Sequence, residues 1–284
     1  IAIRSSSLLE DSHYQPFAGI YSTYMIPYLD DKYEMLRMLS DAIKGVYASV
    51  FFRDSKAYMQ ATSNVIDQEK MAVILQSVVG KTYGDHYYPN MSGVLRSINY
   101  YPSISGVARS LNYYPIGDEK AEEGTVSLAL GLGKYIVDGG LTLRVCPYHP
   151  NQVLQTSEME IALRETQTQF YALDLKNTGH NFSLDDGFNL LKLPVKEADN
   201  DGALTFIAST YDPYDMIIRD GIYPGGRKVI TFANVLQHDV FPLPRILQLV
   251  QEYGQSEMRR PVEIEFAVTL NQQKKNGTFY LLQI

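Results

Sequence analysis

Apolar positions divide the chain into short blocks of different period. Over residues 31–50, Tyr33, Leu36, Leu39, Ile43, Val46, Tyr47 and Val50 recur at spacings of three and four, which predicts an amphipathic helix. Asp30 and Asp31 precede it and suit the partial positive charge of a helix N-terminus. Residues 70–79 (KMAVILQSVV) are apolar and rich in β-branched side chains, which predicts a buried strand. Further strands are predicted at 125–130, 141–145, 169–174, 203–208 and 229–234. A second helix is predicted over 244–253, with Ile246, Leu247, Leu249, Val250 and Tyr253 as its stripe and Gly254 as its cap. Val262 to Thr269 alternates, and a turn containing Asn276-Gly277 leads into Thr278 to Gln283, the pattern of a hairpin. Strands and helices are mixed throughout, with more strand late, so the expected class is α+β or α/β.

One local repeat interrupts this order. Ser92 to Pro102 (SGVLRSINYYP) is echoed by Ser105 to Pro115 (SGVARSLNYYP). Two copies are too few for a solenoid. The reading is a local duplication, one copy in a sheet and the other bulging out as a loop.

Composition narrows the function classes. The 284 residues suffice for one large domain or two lobes. A net charge of -7 argues against general nucleic-acid binding, which needs a basic face, but leaves room for a nucleotide site with a few local cations. The single cysteine, Cys146, excludes an intrachain disulfide, reads as a small buried hydrophobe, and fits a reducing, cytoplasmic setting. Apolar runs are too short to cross a bilayer, and no signal peptide is visible. The chain opens in an apolar segment at Ile1 and stops within the apolar run Tyr280 to Ile284, so both ends read as cut edges of a larger protein. His13, His86, His149, His180 and His238 show no metal-ligand spacing, so no zinc site is expected. The 22 tyrosines read as packing residues.

Three segments could carry chemistry. Arg4, in Ile3-Arg4-Ser5-Ser6-Ser7 with Phe17-Ala18-Gly19 downstream, could hold phosphate through its guanidinium fork, although taken alone it reads better as a surface arginine paired with Glu10 or Asp11. Glu263 and Glu265 lie two apart on a strand and share a face, where two carboxylates repel unless a cation sits between them. They read either as Mg2+ ligands or as a solvated strand face, and Gln283, polar on the next strand, could complete such a site. Gly131-Leu132-Gly133-Lys134 after a strand could approach phosphates or simply make a tight turn.

Taken in order, these segments resemble the nucleotide-binding domain of the phosphoenolpyruvate synthase and pyruvate phosphate dikinase family. Arg4-Ser5-Ser6, Glu10-Asp11 and Phe17-Ala18-Gly19 to Thr23 are similar to its "RSS..ED....FAG...T" signature. Met71 to Gln76 resembles its strand to the adenine hinge, Ser105-Gly106-Val107-Ala108 its "GV.F" strand, and Gly131-Leu132-Gly133 with Val137 and Gly139 its "GLGE..V.G" turn. Glu263-Ile264-Glu265-Phe266 and Tyr280-Leu281-Leu282-Gln283 stand where the family has its acidic strand and "LLQ.RP".

The resemblance implies an α+β fold of ATP-grasp type, with mixed sheets and flanking helices, cut at both ends. It would form one domain over 1–284, divisible into lobes at about 1–69 and 70–284, with ATP held between them. It implies Arg4 on the phosphates, Gly19, Gln76, Ser77, Val78, Val79 and Gln283 on the nucleotide, and Glu263 and Glu265 on Mg2+. It implies an ATP-dependent phosphotransferase of the pyruvate, water dikinase type. The β-phosphate of ATP would pass to a histidine on a separate domain, and a pyruvate-binding domain would complete the reaction. Those two domains would be partners, with a homodimer as an admitted assembly. Glu263 replaces the family's usual Asp, and a lysine-bearing segment before Arg4 and the Arg-Pro after Gln283 are absent here. From these departures the isolated chain is expected not to complete the reaction. The alternatives are a dikinase with another acceptor and a degenerate nucleotide-binding regulatory module.

Overall fold

The computed structural model describes residues 1–7, 19–61, 69–97, 115–176, 182–274 and 276–284. In chain order the elements begin with β1 (Ala2–Ser7), β2 (Tyr24–Met25), α1 (Lys32–Ser49), α2 (Arg53–Ala61) and β3 (Met71–Gln76). There follow β4 (Lys81–Tyr83), β5 (His86–Tyr88), β6 (Met91–Arg96), β7 (Thr125–Ala129), α3 (Lys134–Val137) and β8 (Leu143–Val145). Next come α4 (Met159–Glu165), β9 (Gln169–Asp174), β10 (Leu190–Pro194), α5 (Val195–Asn200), β11 (Ala208–Asp212), β12 (Ile217–Asp220) and β13 (Arg227–Ile230). The chain ends in α6 (Ala233–Leu236), α7 (Leu243–Met258), β14 (Glu263–Asn271) and β15 (Asn276–Gln283). This is a mixed α+β chain with several sheets and few helices, consistent with a nucleotide-binding domain. It divides into two compact units, one of residues 1–78, 84–87 and 172–191, the other of 79–83, 88–171 and 192–284.

In the first unit β1 is the middle strand of an antiparallel sheet in the order β2-β1-β3. Helix α1 starts where Asp31 caps it, its carboxylate accepting from the Tyr33 and Glu34 amides at 2.8 and 2.9 Å. Its buried side is Met38, Ala42, Gly45, Val46 and Ser49, and the core it makes includes Ile3, Tyr24 and Ile26. The predicted stripe holds in part: Val46 and Val50 are buried and Leu39 and Ile43 pack against the core, but Tyr33, Leu36 and Tyr47 are exposed, Tyr33 by 85%. The reason is Tyr24. Its ring lies where a Cβ on residue 45 would be, 2.7 Å away, so the helix turns its small residues, which carry little hydrophobic signal, towards it. Tyr24 is held by its hydroxyl, which donates to the Leu184 carbonyl at 2.9 Å, and by Phe182 at 5.2 Å between ring centroids.

Strand β3 forms as expected but is not buried. Its residues are half-buried or exposed, with Ile74 and Leu75 among the exposed ones. An apolar, β-branched run is compatible with a one-sided sheet as well as a covered one.

The second unit is built on an antiparallel sheet in the order β15-β14-β6-β7-β8. One face is dry: Ile264, Phe266 and Val268 of β14, Leu95 of β6, Val126 and Leu128 of β7 and Leu143 and Val145 of β8 are all buried. Gly93 lies opposite Phe266, and a Cβ there would fall 2.2 Å from the ring, so glycine is what admits it. Helix α7 runs past the predicted end at residue 253. Gly254 is buried inside it, within reach of Val262 and Ile264, and the helix ends at Met258 with Arg259 in the left-handed region. Its buried residues are Leu243, Leu247, Gln251 and Gly254, while Leu249 and Tyr253 of the predicted stripe are exposed.

Residues 203–207, predicted as strand, make helical turns instead. The Ile207 and Ala208 amides both donate to the Leu204 carbonyl, and β11 begins only at Ala208. A short apolar run buried by turns has the same sequence pattern as one buried by a strand. The segment predicted as strand at 229–234 splits: β13 stops at Ile230, Phe232 takes a left-handed conformation, and α6 follows. The β14–β15 hairpin pairs Asn271 with Asn276 across its turn. Of the repeat, Ser92 to Arg96 of the first copy form part of β6, while 98–114, including Ser105 to Ala108, lie outside the described residues. No helix among the described residues is long and apolar enough to cross a membrane.

Candidate functional site

The face of the five-stranded sheet opposite the dry one is polar at the β14 N-terminal end. Residues directly opposite in an antiparallel pair point to the same side. Glu265 pairs with Gln283 on β15 and with Val94 on β6, Val94 with Ser127 on β7, and Ser127 with Arg144 on β8. One row across five strands thus reads Gln283, Glu265, Val94, Ser127, Arg144. The next row, two residues along, reads Glu263, Arg96, Thr125. The rows are joined by the Arg144 guanidinium, whose Nε donates to the Thr125 hydroxyl at 2.9 Å. Between Glu265 and Phe266 the pairing shifts by one residue, so Leu282 is bulged and Gln283 is brought opposite Glu265.

The two carboxylates differ. Glu263 is exposed and its Oε2 accepts from Arg96 Nε at 2.7 Å. Glu265 is half-buried. The donor set of Glu265, Gln283 and Glu263 consists of oxygens on two adjacent strands, the hard ligands Mg2+ takes beside substrate phosphates. Oxygen donors of this kind are compatible with Mg2+, and one of them, Glu263, is already engaged by Arg96.

In the first unit, Arg4 and Gln76 lie on neighbouring strands, on the sheet face opposite Ile3, and Arg4 Nη1 donates to Gln76 Oε1 at 3.4 Å. Ser77 is exposed just beyond β3, and the Val78 carbonyl accepts from the Tyr87 hydroxyl at 3.1 Å. Gly19 is exposed with φ 76°. Val79 is half-buried and belongs to the second unit. Glu10, Asp11, Phe17 and Ala18 lie outside the described residues.

The Gly131–Lys134 segment is a strand-to-helix turn in the second unit. Gly131 has φ 86°, and a Cβ there would lie 2.6 Å from the Tyr171 carbonyl oxygen. Lys134 pairs with Asp138 one turn along α3, at 3.3 Å.

Sequence reasoning missed Arg96, Thr125, Ser127 and Arg144. Their signal was present as the polar positions of alternating strands, but the register that aligns them was not. It also missed a cluster elsewhere in the second unit: Glu123, Cys146 and His149 place a carboxylate oxygen, a thiol and a ring nitrogen within 4.8 Å of one another. The signal there is the Cys146-Pro-Tyr-His149 spacing, which joins a histidine to the single cysteine rather than to another histidine.

No curated protein matches the chain in a sequence search. The family profile described as the pyruvate phosphate dikinase AMP/ATP-binding domain matches residues 1–284, the whole chain. With that match over its full length, and motifs in family order, the chain belongs to the pyruvate phosphate dikinase AMP/ATP-binding domain family.

Proposed function

We propose that this chain is the ATP-grasp, ATP-binding catalytic part of a phosphoenolpyruvate-synthase-like dikinase. The observation that carries this reading is the polar row Gln283, Glu265, Val94, Ser127, Arg144 on one face of a sheet whose other face is packed. Such a face sets a carboxylate, an amide, a hydroxyl and a guanidinium side by side on rigid strands, which suits a metal–phosphate group. Glu265 and Glu263, with Gln283, hold Mg2+, which offsets phosphate charge when bound. Arg144 and Ser127 orient phosphate oxygens on the same face. Within the first unit, Arg4 is the residue proposed for phosphate and Gly19 and Gln76 to Val78 those proposed for the nucleotide, partly through backbone groups; Val79, also proposed for the nucleotide, belongs to the second unit. The β-phosphate passes to a histidine carried on another domain of the protein, and pyruvate is the final acceptor.

A second reading is a regulatory module that binds nucleotide without transfer. The Glu263–Arg96 ion pair favours it, because it engages one carboxylate in a protein contact.

Calorimetric titration with Mg-ATP tests the binding reading. Saturable binding that Glu265→Gln weakens at least about tenfold is expected, and binding indifferent to that change overturns the metal role. ATP labelled at the β-phosphate, given to the intact parent protein, separates the two readings: label on a histidine supports transfer, and binding without label supports the regulatory module.

A further inference from the structure

Cys146 and His149 sit at the two ends of a turn closed by the His149 amide on the Cys146 carbonyl at 3.0 Å. The backbone N–H groups of Tyr148 and His149 also donate to the Cys146 sulfur. Donors aimed at a sulfur favour its thiolate form, the form that ligates a metal. Glu123 comes from a separate turn, where its Oε2 accepts from the Lys120 amide at 2.9 Å. The same oxygen lies 2.9 Å from His149 Nε2. Cys146 is buried, 3% exposed, while the side chains of His149 and Glu123 are 23% and 22% exposed, so the cluster opens to solvent on one side.

The surroundings are acidic. Glu119 lies close enough to act on the thiol, and Glu252 accepts from the Tyr148 hydroxyl at 3.0 Å. His149 and Lys120 both lie close enough to act on Glu123.

We propose that Cys146, His149 and Glu123 form a site for Zn2+, with water as the fourth ligand. Tetrahedral zinc with bonds of about 2.0–2.3 Å sets its ligand atoms about 3.3–3.8 Å apart; the three atoms lie within 4.8 Å of one another, and His149 Nε2 and Glu123 Oε2, now hydrogen-bonded at 2.9 Å, would separate slightly to admit the ion. Binding releases the thiol proton to solvent and involves no redox change. The site joins the turn before β7 to the turn after β8, at the ends where Val126 pairs with Val145. It thereby clips together the two strands that carry Thr125, Ser127 and Arg144.

The test is a titration of the chain with Zn2+ against a chromophoric chelator, and with Co2+ followed by absorption. One equivalent is expected, with a thiolate-to-cobalt charge-transfer band. Cys146→Ser should lose the band, and His149→Ala and Glu123→Gln should weaken Zn2+ binding more than about 100-fold. A wild-type Co2+ complex without the thiolate band, or no stoichiometric binding, overturns the proposal irrespective of how the variants fold. Unchanged affinity in folded Cys146→Ser overturns it as well.

Discussion

Glu263 and Arg96 face each other across β14 and β6, with Arg96 Nε 2.7 Å from Glu263 Oε2. Glu265, on the same face two residues along, lies opposite Val94 and Gln283 instead. Glu263 is therefore engaged by a guanidinium, and on the proposed reading of this face as the Mg-ATP site Glu265 carries the larger share of the metal role. Glu265→Gln is expected to lower Mg-ATP-dependent turnover of the parent protein about 100-fold or more, and Glu263→Gln by about tenfold or less. Because the Glu263–Arg96 pair is exposed, its loss should change stability by under about 1 kcal/mol in urea unfolding. Equal effects of the two substitutions on turnover would show that the ion pair does not distinguish them.

Gly93→Ala should destabilise the second unit. The added Cβ meets the Phe266 ring at 2.2 Å, and Phe266 is buried, with its ring stacked on Phe279 at 5.0 Å. Overpacking of this kind costs about 1–3 kcal/mol, read as a lower urea midpoint at unchanged slope. A midpoint equal to wild type would mean that the sheet relaxes around the methyl.

Asp31→Ala should weaken α1 by about 1 kcal/mol, since two amides lose their acceptor. Asp31→Ser should recover most of that in thermal unfolding, because a hydroxyl can cap the same amides.

Cys146 gives a pH dependence with a definite sign. An ordinary thiol titrates near 8.5, whereas burial pushes this one up to about 11. Between those values the native chain keeps a proton that the unfolded chain has lost. Its contribution is complete below about pH 8.5 and declines as pH rises, by up to about 3 kcal/mol at pH 11. The check is the difference in unfolding free energy between wild type and Cys146→Ala across pH 7–11, in chelator. A flat difference would show that the thiol is not desolvated. Stoichiometric Zn2+ should flatten it too, because the thiolate is then the native form.

How far the sequence could be read depends on the element. Period three-to-four apolar spacing located α1 and part of its buried side, Val46 and Val50 among it, but not Gly45, which faces Tyr24 for reasons of room. The same holds for α7, where Gln251 and Gly254 are buried and Tyr253 is exposed. Gln251 is accommodated by donating to the Ser97 and Glu122 carbonyls, partners supplied by segments far along the chain. Strands with two-residue alternation were located well, β14 and β9 among them. The run at 203–208 was misread because burial by helical turns and burial by a strand leave the same short apolar signal.

By itself, the order of residues determined the mixture of strands and helices, the alternation that puts Glu263 and Glu265 on one face, and the family motifs. These are local properties, set by side-chain period and backbone preference. Tertiary structure decided which strands are neighbours and in what register. That choice set Gln283, Glu265, Val94, Ser127 and Arg144 in one row, and brought Glu123 to Cys146 and His149. Register follows from which face of every strand must be dry at once, a condition on the whole sheet that no single segment expresses.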